Sequence, residues 1–373
     1  MKIVADDHIP YVKEYFNSQG ELILKPGRAI SYQDVKDADI LLVRSITRVN
    51  EALLANTNIK FVGSVTAGTD HLDTSWLKEA NIYWQAAAGF NAPPVADYVV
   101  SVIAAMQKRG LLCHSSPRAA VIGVGNVGRL VAERLKLLNF DVMLVDPLRA
   151  EIEKNFKTIP LEQITDVDLI SLHVPLTCEG QYPTYQFINQ NILKNQKPDC
   201  VLLNASRGKV IHTEDLQQYG KHCHWCFDVW PNEPYIDQAI LANSKIATPH
   251  IAGYSIQSKI RGIALIYQAA CQAGIIESTL RSSVDMPLQK LAFTESELVW
   301  QDVVLNVFNP FIMTKQMRDV FLKVEDNGKS FDNLRNHFNY RHEFSFIEYT
   351  AKLDEPDKMV LNNLGFKFGD ALI

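Results

Sequence analysis

No apolar run in the 373-residue chain reaches the roughly 20 residues that a membrane-crossing helix needs, so a membrane-spanning segment is excluded. Basic charge is not in excess. Lys and Arg number 37 against 42 Asp and Glu, a net charge of -5 at pH 7, and without a basic face a nucleic-acid surface is excluded. The start of the chain lacks the basic-then-apolar pattern of an export signal. Met1 to Ile9 reads as a strand with acidic residues, and a cytoplasmic location is expected. Cysteines are only six and scattered, so reduced thiols rather than a disulfide framework are expected. One group, His222, Cys223, His224 and Cys226, lacks a second ligand pair at metal-site spacing and lies in an apolar run ending at Trp230. It reads as a buried strand, and no metal is expected.

What remains is a folding composition, 47% hydrophobic and 21% charged, in a chain long enough for roughly two or three domains. The first part alternates apolar runs (Lys2 to Ala5, Glu21 to Leu24, Ile40 to Val43, Lys60 to Val65, Ile82 to Gln85) with helical patterns such as Pro10 to Gln19 and Asn50 to Asn56. That alternation predicts a parallel sheet covered by helices. Asn91 to Arg109 reads as one long helix with Pro93 and Pro94 in its first turn. A second series begins at Arg118, with strands Ala119 to Ile122, Asp141 to Val145, Asp168 to His173, Cys200 to Leu203, Cys223 to Val229 and Lys245 to Thr248. It is enough for a doubly wound nucleotide-binding domain. Ser255 to Ala273 reads as a helix crossing back to the first domain. From about Val284 the chain turns aromatic-rich, including Trp300, Phe308, Phe311, Phe321, Phe338 and Phe346. It carries no glycine loop, repeat or catalytic constellation, so an assembly or lid role is expected.

The segment Gly123-Val124-Gly125-Asn126-Val127-Gly128 has the G-x-G-x-x-G pattern between an apolar strand and a helical run. Gly123 permits a tight turn, Gly125 lets backbone approach a pyrophosphate, and Gly128 lets helix and strand pack closely. The helix N-terminus, with Asn126 and Val127, offers free N–H groups to phosphates. Asp146 ends the next strand, 18 positions after Gly128. Its carboxylate suits ribose hydroxyls and repels a 2′-phosphate, which favours NAD over NADP, with Arg149 nearby as a weak counterweight.

Three further segments follow predicted strands, where open α/β sheets bind ligands: Asn204-Ala205-Ser206-Arg207-Gly208, Asp228 to Pro234, and Thr248 to Tyr254. They supply an arginine, a carboxylate and a histidine. Oxidation of an alcohol next to a carboxylate needs a base for the hydroxyl proton, which suits His250. It needs an acid to orient the imidazole, which suits Glu233, and a forked cation for the substrate carboxylate, which suits Arg207.

The glycine loop and the N-x-S-R-G, D-V-x-x-x-E-P and T-P-H-I-x-G segments resemble the D-2-hydroxyacid dehydrogenase family. The resemblance implies that Arg207, Glu233 and His250 are catalytic. It also implies cofactor contacts at Ser206, Arg207, Gly253 and Asp228, the last toward the nicotinamide amide. Val174 stands where many relatives carry threonine, leaving the backbone as the implied contact there. The implied fold is α/β: a Rossmann NAD domain (96–255) inserted in a discontinuous, flavodoxin-like substrate domain (1–95 and 256–283), both doubly wound. A C-terminal α+β domain (284–373) follows.

The runs Leu42 to Asn50 and Val65 to Asp73, with the aromatic-rich C-terminus, are similar to one branch of that family. Its substrate is a four-carbon hydroxy acid bearing a terminal phosphate, and its C-terminal domain builds a homodimer. Arg44, Ser45, Thr66 and Tyr254 are then the expected substrate contacts, and Arg341 a candidate to reach a substrate phosphate across the dimer. Phosphoglycerate or other D-2-hydroxyacid dehydrogenases share these motifs. An NAD-sensing binding protein on the same fold is the alternative of another class.

Overall fold

The computed structural model describes residues 1–278, 286–322 and 328–369. The boundary expected near Val284 lies outside the described residues. The chain forms two compact units. One comprises Met1–Asn91 with Ser255–Pro287, the other Ala92–Tyr254 with Leu288–Ile373.

In the first unit β1 (Lys2–Asp6), β2 (Glu21–Lys25), β3 (Ile40–Val43), β4 (Phe61–Ser64) and β5 (Tyr83–Ala86) form an all-parallel sheet in the order β2-β1-β3-β4-β5. The central runs are apolar throughout because helices cover both faces. Ile3, Ala5, Leu42 and Phe61 face one core with Ile263 and Ile266 of the helix Ile256–Gln272. Val4, Leu41, Val43 and Val62 face another. Ser255 caps that helix by accepting from Ser258 N at 2.9 Å.

The second unit holds β6 (Arg118–Ile122), β7 (Asp141–Val145), β8 (Leu169–Leu172), β9 (Val201–Asn204), β10 (His224–Phe227) and β11 (Ile246–Ala247). These form a parallel sheet in the order β11-β10-β9-β8-β6-β7. The order reverses at β6, where the glycine loop leaves the sheet, and such a switch point opens a ligand crevice. Beyond β7, Ile159 N donates to Leu144 O at 3.0 Å and Asp146 N to Thr158 Oγ1 at 2.9 Å. Cys223 and Cys226 are buried, and β10 runs through the histidine- and cysteine-containing segment as expected.

The C-terminal segment builds a small parallel sheet, β12 (Gln289–Ala292), β13 (Ile347–Thr350) and β14 (Lys367–Phe368), in the order β12-β13-β14. It also supplies four helices among the described residues. Several of its aromatics are buried inside the unit. Met317, Phe321 and Phe331 complete the core on one face of the six-stranded sheet, and Phe308 and Met313 the core on the other. Trp300 and Val303 pack on Val100 and Ala104 of the helix Ala92–Lys108. The helix Pro310–Phe321 also covers the sheet edge, where Thr314 Oγ1 accepts from Ala247 N of β11 at 2.9 Å. An edge strand's open backbone is thereby closed.

Candidate functional site

The six strands of the second unit are in register. Val145 pairs with Ile122, Ile122 with Leu172, Leu172 with Asn204, Asn204 with Phe227 and Phe227 with Ala247. Gly123, Asp146, His173, Ala205, Asp228 and Thr248 therefore all leave the sheet from one transverse row, at its carboxyl end. Loops from that row are what an open α/β sheet offers a ligand.

At the switch point the glycines have separate reasons to be glycine. Gly123 has φ +83°, and a Cβ there would stand 2.7 Å from His173 O. A Cβ on Gly128 would stand 1.8 Å from Gly123 O, so the helix Asn126–Leu137 packs this close to the turn only without a side chain. A Cβ on Gly125 would meet nothing within 4 Å. The backbone there is open, as a pyrophosphate cradle must be. Asp146 Oδ2 accepts from Val124 N at 2.8 Å and Oδ1 from Arg149 N at 3.0 Å. The acid thus closes the glycine turn while standing at the end of β7. Arg149 Nη1 donates to Val124 O at 2.8 Å and Nη2 to Glu153 at 2.9 Å. Beside Val174, burial pushes the His173 imidazole down to about 3, so it stays neutral. The loop, the acid and the open Gly125 backbone fit a dinucleotide.

On the neighbouring strand ends, His250 Nδ1 meets Glu233 Oε2 at 2.7 Å, and Glu233 Oε1 accepts from Trp230 N at 2.9 Å. Burial alone would raise the Glu233 carboxyl. The His250 charge and hydrogen bond, the Trp230 N–H and the Arg335 guanidinium outweigh it and hold the group below its ordinary value. The carboxylate only accepts, so Nδ1 carries the proton and the neutral ring keeps its lone pair on Nε2. Asp228 is 1% exposed. Its Oδ1 accepts from Thr248 Oγ1 at 2.6 Å and Ile251 N at 2.8 Å, and its Oδ2 from Ala252 N at 2.9 Å. It fixes the loop that carries His250 and Gly253, a task the motif alone did not reveal.

Ser206 N and Oγ both donate to Asn204 Oδ1, at 3.0 and 2.8 Å, and Asn204 Nδ2 donates to Arg207 O at 3.0 Å. Arg207 Nη1 donates to Ser206 O at 2.8 Å. A Cβ on Gly208 would lie 2.0 Å from the Trp230 carbonyl carbon. Glycine is what lets the arginine segment lie against the segment that carries Glu233.

A model for "D-isomer specific 2-hydroxyacid dehydrogenase, NAD binding domain" matches residues 104–252. The chain is 44% identical to an erythronate-4-phosphate dehydrogenase of Coxiella burnetii, over 98% of this chain and 100% of that one. This chain belongs to the erythronate-4-phosphate dehydrogenase family. A Marinobacter nauticus relative of the same name is 39% identical over 94% of this chain and 95% of its own. The fold is that of an NAD+-bound 3-phosphoglycerate dehydrogenase from Entamoeba histolytica, with TM-score 0.63 and 21% identity over 77% of this chain and 99% of that one. As a family member the chain is an NAD-dependent dehydrogenase.

The other expected residues are placed within their own units. Arg44 Nε and Nη2 grip the buried Asp6 at 3.0 and 3.2 Å. Gly27 lies so close that a Cβ would stand 2.2 Å from Asp6 Oδ2. Ser45 is exposed. Thr66 Oγ1 donates to Gly68 O at 2.7 Å and contacts Ser64 Oγ at 2.7 Å, so its hydroxyl shapes its own loop. Tyr254 Oη accepts from Arg335 Nη2 at 2.9 Å. Arg335 was not legible beforehand, because a lone arginine 81 residues from its partner leaves no pattern. Arg341 is 6% exposed and donates to the carbonyls of Ile251, Pro94 and Ala252.

Proposed function

We propose that the chain oxidises 4-phospho-D-erythronate to 3-hydroxy-2-oxo-4-phosphooxybutanoate with NAD, in pyridoxal 5′-phosphate biosynthesis. The observation that carries this reading is the 44% identity along essentially the whole length to an erythronate-4-phosphate dehydrogenase. The His250–Glu233 hydrogen bond of 2.7 Å supports the chemistry. His250 Nε2 takes the substrate's hydroxyl proton as the carbonyl forms. Glu233 keeps Nδ1 protonated and stabilises the imidazolium that results. Arg207 holds the substrate carboxylate and the developing oxyanion through its fork. NAD, when bound, supplies the hydride acceptor.

Gly123, Gly125, Asn126, Val127 and Gly128 cradle the pyrophosphate, Asp146 takes the ribose hydroxyls, and Val174, Ser206, Asp228 and Gly253 complete the cofactor site. Arg44, Ser45, Thr66 and Tyr254 bind the phosphorylated substrate. Residues 1–95 with 256–283 form the substrate domain, 96–255 the NAD domain, and 284–373 build a homodimer. The unpaired state of all six cysteines supports a cytoplasmic setting. The test is a hydride-transfer assay comparing 4-phosphoerythronate, 3-phosphoglycerate and unphosphorylated 2-hydroxy acids. Highest kcat/KM on 4-phosphoerythronate is expected. Preference for another acid overturns the substrate, and no turnover of any overturns the enzyme reading.

A further inference from the structure

We infer that Arg341 is a positioning residue for His250, so that the C-terminal segment holds the catalytic loop in shape. This rests on the reading of His250 as the base. His250 has φ +58°, a left-handed conformation that a non-glycine residue keeps only when its surroundings impose it. Those surroundings act from two sides. On the N–H side, His250 N donates to Asp228 O at 2.7 Å, and the Asp228 carboxylate takes the N–H groups of Ile251 and Ala252. On the carbonyl side stands Arg341. Its Nη1 donates to Ile251 O at 3.3 Å and its Nη2 to Ala252 O at 2.6 Å, the two carbonyls that follow His250. Nη2 also donates to Pro94 O at 2.8 Å, in the first turn of the helix Ala92–Lys108.

A plain structural tie does not need so costly a group. Taking a cation out of water is costly, and here its hydrogen bonds go to the main-chain carbonyls of Ile251, Ala252 and Pro94. The site is nonetheless built for it. The guanidinium lies 4.7 Å from the centre of the Phe308 ring, and Asp97, Asp228 and Glu343 face it with negative charge. Asp97 also fixes the chain just beyond it by accepting from Phe344 N at 2.9 Å. At the far end of the same loop a second arginine of the segment, Arg335, holds the Tyr254 hydroxyl. A lysine cannot replace the fork, because one ammonium cannot stand both where Nη1 meets Ile251 O and where Nη2 meets Ala252 O and Pro94 O.

The test compares wild type, Arg341→Lys and Arg341→Gln with 4-phosphoerythronate and its C2-deuterated form. Rates are normalised to NADH-binding sites so that misfolded protein does not count. Misplacing a reacting group by about 1 Å costs on the order of a hundredfold. We therefore expect kcat of both variants to fall at least tenfold with a raised primary deuterium isotope effect, while KM and NADH affinity stay within threefold. A variant with wild-type kcat, or a fall in kcat with an unchanged isotope effect, overturns the inference alone. A wild type inert on every acid overturns it together with the functional reading.

Discussion

Replacing Glu233 by glutamine removes one charge and turns one of two acceptors into a donor. Both oxygens are in use, Oε1 for Trp230 N at 2.9 Å and Oε2 for His250 Nδ1 at 2.7 Å. The amide can satisfy only one of them. If its oxygen keeps Trp230, its NH₂ opposes the Nδ1 proton, and the imidazole must move its hydrogen to Nε2, where it can no longer act as a base. If its oxygen keeps His250, the Trp230 N–H faces a donor. Either loss involves a hydrogen bond to a charged group, worth about 1.5–3 kcal/mol, which predicts a fall in kcat/KM of roughly 10- to 150-fold at about 1.4 kcal/mol per decade.

Stability should change with pH in a defined sense. Glu233 is held below its ordinary value of 4.5. Its contribution is therefore complete above that pH and lost as pH falls through the lower folded value. The variant should lack this part of the acid slope. The assays are initial rates of NADH formation and melting temperatures on a descending pH series. Activity within threefold of wild type would refute the orienting role, and an unchanged acid slope would refute the electrostatic argument.

Three other outcomes follow from the same geometry. Gly128→Ala should lower the melting temperature, because its Cβ would meet Gly123 O at 1.8 Å, whereas Gly125→Ala should melt like wild type but lose NADH affinity; equal NADH titrations for Gly125→Ala and wild type would contradict the cradle. Asp146→Ala should weaken NAD more than NADP, by about 1.5–3 kcal/mol per lost charged hydrogen bond, and parallel fluorescence titrations that leave both affinities unchanged would place the ribose contact elsewhere. Truncation at residue 284 should give aggregates in light scattering, since Met317, Phe321 and Phe331 leave the core at about 1.5–3 kcal/mol each. A soluble truncated chain that still dimerises would remove the C-terminal segment from assembly.

Much of the fold was legible because fully buried parallel strands read as unbroken apolar runs. Asp141 to Val145 and Ile40 to Val43 were placed to the residue. Strands that end in site loops were read too long. Lys245 to Thr248 shrinks to Ile246–Ala247, because the Thr248 carbonyl turns to Trp230 Nε1 at 3.0 Å. The run Cys223 to Val229 ends at Phe227, because Asp228 leaves to hold the histidine loop. The histidine and glutamate were visible as motif residues, but the arginines that support them were not. Arg335 and Arg341 act across 81 and about 90 residues, on partners in a loop with no periodicity. The C-terminal domain was expected to be α+β, but its strands were not placed, since a strand such as Gln289–Ala292 alternates between half-buried and exposed positions.

The order in which the second unit is threaded bears on how it is made. Its core on one sheet face closes only with Phe331, whereas its last loop, ending at Tyr254, is synthesised 77 residues earlier (331 − 254). At about 5–20 residues per second, the ribosome presents a nearly complete nucleotide-binding sheet for roughly 4–15 s before its cover arrives. For the first 60 residues of that interval (314 − 254) β11 is an open edge, because Thr314 has not yet been made. Nascent chains of this protein should accordingly depend on chaperone shielding more than their size alone demands. Slowing translation between residues 254 and 331 should then reduce the soluble yield without altering the finished molecule.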